Sequence, residues 1–285
     1  MSSGILTWLT EPLALDFMQR AALSAVALGI AAPIAGVWAT YRRLVYLTDA
    51  MSHAVLAGVA AASLLGVSLL AGGLASAAAM AILVSVLMAR TRLGKDSVIG
   101  VSAQGLFALG VIGVSAGSDP RALSHVLFGN PLTVSAAEVA VQAAVTGAVV
   151  LSVLVFLPAL TATTFDAGHA RSLGLRTGLL DNAMVLGLGL VVVVGMTTVG
   201  VLMAVTLCVA PAAAAQLVAP TLNRTLAAAA VFGVGCGLAG LLLSYHLAMP
   251  AGPVVAVLAV LLVAACAAAR GLGKPFQSQQ HGATV

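Results

Sequence analysis

The sequence predicts an all-α polytopic membrane protein of about nine transmembrane helices. Hydrophobic residues make up 61% of the 285-residue chain and charged residues only 7%, where a soluble domain carries roughly 45–50% and about 25%. Mean hydropathy is +1.15. The apolar residues gather into runs close to the roughly 20 residues that cross a bilayer core as helix. Nine such spans with short connections use up the chain, leaving no room for a sizeable soluble domain, so work that needs ATP falls to another chain.

The elements follow in order. Residues 1–20, with Pro12 and the Asp16/Arg20 pair, read as an external amphipathic segment at the membrane surface, without the basic lead of a signal peptide. A permease domain over 21–269 comes next. Its first span is 21–40, in which Pro33 is tolerable because neighbouring helices re-satisfy the freed carbonyl. Spans at 50–67, 69–89 and 98–116 follow, then a longer loop over 117–135. A fifth span, 136–157, is expected to close at Pro158. The polar connection 161–182 reads TATTFDAGHARSLGLRTGLLDN, with Asp166 placed to cap a short helix and Gly174 to end it. Residues 183–196 are too short for a full span and read as a half-helix or re-entrant piece, with Asp181 as its cap. Spans at 199–218, 226–245 and 250–269 complete the domain, and 270–285 form a polar tail on the cytoplasmic side.

Lysine and arginine set the orientation. With nine alternating spans, Arg42, Arg43, Arg90, Arg92, Lys95, Arg171, Arg176, Arg224, Arg270 and Lys274 share one side, and only Arg20 and Arg121 the other. The positive-inside rule places the ten in the cytoplasm, with the N-terminus outside and the C-terminus inside. The net charge of +4 is therefore a topology signal, and nucleic acid is excluded as a partner. Cys208, Cys236 and Cys266 lack metal-type spacing and read as small buried residues. Ala32/Gly36, Gly113/Gly117 and Gly233/Gly237, each four apart, permit close helix packing.

Within YRRLVYLTDAMSHAVLAG, at 41–58, Asp49 and His53 also stand four apart, which puts carboxylate and imidazole on one helix face within reach of a single divalent cation. Ionisable residues inside a membrane segment are costly and mark ion or substrate paths. The alternative is structural: Asp49 caps a helix and His53 bonds a neighbour. For the pair to lie within the bilayer, residues 44–48 must enter it too and line a cavity. His246, His125 and Glu138 are further metal candidates, each equally readable as an interfacial hydrogen-bonding residue. Glu138, with Gln142 one turn on, faces either the same cavity or simply the headgroups. Met51 and Met203 read as packing.

The segments RRLVYLTDAMSHAVLAGVA, FDAGHARSLGL, VGVLMAVTLCVAPAAAAQLVA and PAGPVVAVLAVLL, in this order, resemble the membrane permeases of metal-ion ABC transporters, the class importing manganese, zinc or chelated iron. HVLFG at 125–129 is similar to that family's external segment. The resemblance implies a fold like that of the vitamin B12 and siderophore importers. It also implies a second permease copy, identical or related, two ATP-binding cassette subunits, an extracytoplasmic binding protein and a prokaryotic cell membrane. On that likeness Asp49 and His53 line the translocation path, and residues 164–176 form the coupling helix that docks on the ATPase, with Asp166, Ala170, Arg171 and Gly174 at the matching positions. The chain is then a transport subunit, not an enzyme. It carries no permanent cofactor, only a transported divalent metal ion. The GLGK at 271–274 lacks the first half of a nucleotide-binding loop. Two other readings stand beside it: a stand-alone secondary cation transporter, which the Asp/His pair would serve equally well, and an ABC permease for a metal chelate or small organic ligand, in which the pair is structural.

Overall fold

The structure is a computed structural model that describes residues 11–116 and 134–272. Among these residues, nine helices are long and apolar enough to cross a membrane. They are α1 (Asp16–Tyr41), α2 (Val45–Leu65), α3 (Leu69–Arg90), α4 (Lys95–Ala116), α5 (Ala136–Phe165), α7 (Thr177–Val199), α8 (Val201–Val218), α9 (Leu222–Leu247) and α10 (Ala251–Leu272). One short helix, α6 (Ala167–Ser172), lies between α5 and α7.

Three expectations change. The first span starts at Asp16, so Asp16 and Arg20 belong to its opening turns. Pro158 sits inside α5, which runs on to Phe165. The 183–196 run is the middle of a full-length helix, α7, of 23 residues. Asp181 lies within its second turn and pairs with Arg42 instead of capping.

Helix α1 is the buried centre, packed by α9, α8, α5 and α7. Apolar burial drives little association in lipid, so close backbone approach and interhelical hydrogen bonds must hold such helices. Both are present. A Cβ on Gly36 would stand 1.7 Å from the Cys208 carbonyl oxygen of α8, and one on Gly58 would stand 1.9 Å from the Gly72 carbonyl oxygen of α3. Buried Gln142 of α5 donates to the Ser24 carbonyl at 3.0 Å and accepts from the Ser24 hydroxyl at 2.5 Å. It faces α1. Met51, Met203 and the three cysteines are buried.

Helix α2 packs chiefly on α4 and α3. The tyrosine of Tyr46 lies at Gly100, His53 at Phe107 and Ala60 at Gly113. Both sequences advance together, so α2 and α4 run parallel. Helix α1 ends in a tight corner: Arg43 adopts φ 58, its N–H donates to Thr40 at 3.1 Å, and the Leu44 N–H donates to Ala39 at 2.7 Å. This is a Schellman turn with arginine at the position that usually takes glycine. It delivers the chain directly into α2.

Candidate translocation site and docking segment

Asp49 and His53 occupy the second and third turns of α2, about 6 Å and 12 Å along it. The helix begins at Val45 with Leu44 as its cap, so Asp49 is not a capping residue. His53 Nε2 and Asp49 Oδ2 are 3.6 Å apart. Two ligand atoms each about 2.1 Å from one metal ion lie roughly 3.0 Å apart at a right angle and about 3.4 Å at the tetrahedral angle. The pair thus stands near the spacing one cation would impose. The edge-on ring of Phe107, 5.3 Å from the imidazole, steadies His53 from α4.

The pair is uncovered. The Asp49 side chain is 55% exposed and that of His53 47%, on a helix whose other faces are buried against α3, α4 and α7. The open strip runs from Tyr46 through Asp49 and His53 to Ala61. Below it, Val45 and Tyr46 line an open cavity of about 750 Å³ together with Arg43, Asp96 and Ser97. Residues 45–48 are therefore helical, with Val45 and Tyr46 on the cavity and Leu47 and Thr48 buried. Among the described residues, no third His, Cys, Asp or Glu joins the pair.

The other metal candidates lie apart from it. Glu138 opens α5 in a capping box: its carboxylate accepts from the Ser135 N–H and hydroxyl, both at 2.8 Å. It borders a cavity of about 370 Å³ with Ser68, Met196, Thr197 and Thr198. His246 is in the last turn of α9 with its ring edge-on to Tyr245, 5.4 Å away. His125 falls outside the described residues.

The short helix forms as its sequence indicates. The Asp166 carboxylate accepts from the His169 N–H at 2.8 Å, and Gly174 at φ 76 turns the chain away. Ala170, however, is fully buried, facing the body of the protein. Arg171 is exposed, its Nε donating to the Ala167 carbonyl. The apolar side chains on the outer surface are Phe165, 59% exposed, and Leu173, 61% exposed. Sequence reasoning passed over both, although a leucine and a phenylalanine flanking a capped polar helix were visible as the signal. It also passed over Arg42, whose partners lie more than 120 residues away.

Among the described residues, nine helices long and apolar enough to cross a membrane, an ionisable pair on one uncovered strip and a short helix at the end of the bundle that gathers the basic residues define a multi-pass membrane permease. The chain belongs to the ABC 3 transport family, which it matches over residues 14–269. It is 30% identical to the chelated iron transport system membrane protein YfeD of Yersinia pestis, over 89% of this chain and 85% of that protein. Against the manganese transport system membrane protein MntC of Listeria monocytogenes it is 30% identical, covering 87% and 88%. Among solved structures, PsaBC from Streptococcus pneumoniae in complex with a Fab is similar with a TM-score of 0.84 and 28% identity, over 92% of this chain and 95% of that one.

Proposed function

We propose that this chain is the permease subunit of an ABC importer for a divalent transition metal ion, with manganese and iron the first cargoes to test and zinc the next. The observation that carries the reading is the half-exposed Asp49/His53 pair. A carboxylate and an imidazole facing lipid would be costly, so the strip faces a water-filled path closed by a second permease copy. Carboxylate and imidazole together suit manganese, iron and zinc, and the relatives' names include manganese and chelated iron transport.

In this reading the basic end is cytoplasmic, the N-terminus external and the C-terminus internal. A binding protein outside delivers the ion. The pair receives it, and partner ATPase subunits docked around residues 164–176 drive the change of access. His53 coordinates through its neutral nitrogen and Asp49 as carboxylate.

The test is uptake of radioactive manganese and iron by proteoliposomes holding the permease, its ATPase and its binding protein. Asp49→Ala and His53→Ala are expected each to remove most uptake of the cargo ion while ATP hydrolysis persists. Unchanged uptake in both variants would refute the ion-path role, and uptake of only the chelated metal would move the cargo to a chelate. Uptake that survives without any ATPase subunit would identify a secondary transporter.

A further inference from the structure

Arg42 caps α1 and is 11% exposed, yet it spends its whole guanidinium on the two flanks of the short helix. Its Nε donates to the Thr164 hydroxyl at 2.9 Å and Nη2 to the Thr163 hydroxyl at 2.7 Å, both in the last turn of α5. Nη1 pairs with the Asp181 carboxylate in the second turn of α7. Tyr41, next to it, meets Phe165 edge-on at 5.3 Å. One side chain therefore ties the end of α5, just before α6, to the second turn of α7, the helix that follows it. On its other side Arg42 is joined through the tight Arg43–Leu44 corner to α2, where Asp49 is seven residues on.

A planar fork with donors in fixed directions holds three acceptors in one geometry, which a flexible ammonium cannot do. The α1–α2 corner is equally stiff, since its left-handed Arg43 is locked by the two backbone hydrogen bonds. A displacement of α6 and its flanks is thus passed to the start of the helix that carries the ion pair.

We propose that Arg42 is a positioning residue that couples movement of the docking segment to the Asp49/His53 helix. This rests on the import reading given above.

The experiment measures manganese ions taken up per ATP hydrolysed by the reconstituted complex, with iron in parallel. Arg42→Gln is expected to lower that ratio about tenfold, the scale of a typical coupling energy, while ATPase binding and hydrolysis stay within about twofold. Arg42→Lys, which keeps the charge but not the fork, is expected to recover only part of the ratio. Asp181→Asn, at a half-exposed position that leaves no buried gap, should lower the ratio in the same direction and serves if Arg42→Gln does not assemble. An unchanged ratio in these variants would overturn the proposal. So would uptake and hydrolysis falling together with loss of bound ATPase, the signature of a structural role only. Wild-type complex that takes up neither metal would overturn the import reading itself, and the coupling role with it.

Discussion

If, as proposed, an ATPase subunit docks around residues 164–176, replacing Leu173 by Ala is expected to weaken that docking about tenfold. Leu173 follows α6 directly and is 61% exposed at the end of the bundle where Arg171 and Arg176 also lie. That exposure leaves about 80 Å² of side chain to be covered, worth about 2 kcal/mol at ~25 cal/mol per Å². Alanine keeps a fraction of it, so the loss is about 1.5 kcal/mol, or roughly tenfold in Kd. The assay is binding of the ATPase subunit to the permease in nanodiscs, followed by interferometry. Leu186→Ala, also at an exposed leucine but along the apolar length of α7, should leave binding unaltered. A Leu173→Ala complex as tight as wild type would refute the assignment of this surface to the ATPase.

Three further outcomes concern the bundle, each read as stability of the purified permease in detergent. Gly36→Ala drives a Cβ to 1.7 Å from the Cys208 carbonyl oxygen and is expected to cost at least ~2 kcal/mol, because backbone must move to relieve it. Gln142→Leu removes both bonds to Ser24 and should cost about 1 kcal/mol, the scale of interhelical hydrogen bonds in membranes. Arg43→Gly should be neutral or stabilise by up to about 1 kcal/mol, since glycine carries no left-handed penalty at φ 58; a loss of stability there would mean that the Arg43 side chain contributes to the corner.

Most of the fold was legible because continuous apolar runs of about 20 residues cross a bilayer as helices, their backbone groups bonded within the segment. Errors clustered where polar or helix-breaking residues are accommodated by tertiary contacts. The α7 start was missed because Asp181 and Asn182 looked like loop, whereas Arg42 and Ser85 serve them from other helices. Pro158 looked like a terminator because proline removes a helix donor and crowds the preceding turn, yet α5 continues through it to Phe165. Of the site, the Asp49/His53 spacing was local and therefore visible. The Arg42 tie was not, since hydrogen bonds to Thr163 and Thr164 span 121 and 122 residues. Which side of α6 turns inward was not legible for a related reason: a six-residue helix has both an inner and an outer side, and only the structure shows that Ala170 is buried against the body.

The incompleteness of the ion pair is itself informative on the proposed reading. Two side-chain ligands fall short of the four or more that transition metals take in closed protein sites, and no third His, Cys, Asp or Glu accompanies them among the described residues. The remaining positions would go to water or to the facing strip of a second copy. Such a site binds well enough to be entered and weakly enough to be left, which is what conduction requires. A residue set that closed the shell within one chain would hold the ion instead of passing it on. On the proposed reading, a pair near the basic end of α2, on a helix tied through Arg42 to the segment around α6, would let small movements between two copies assemble the shell and take it apart.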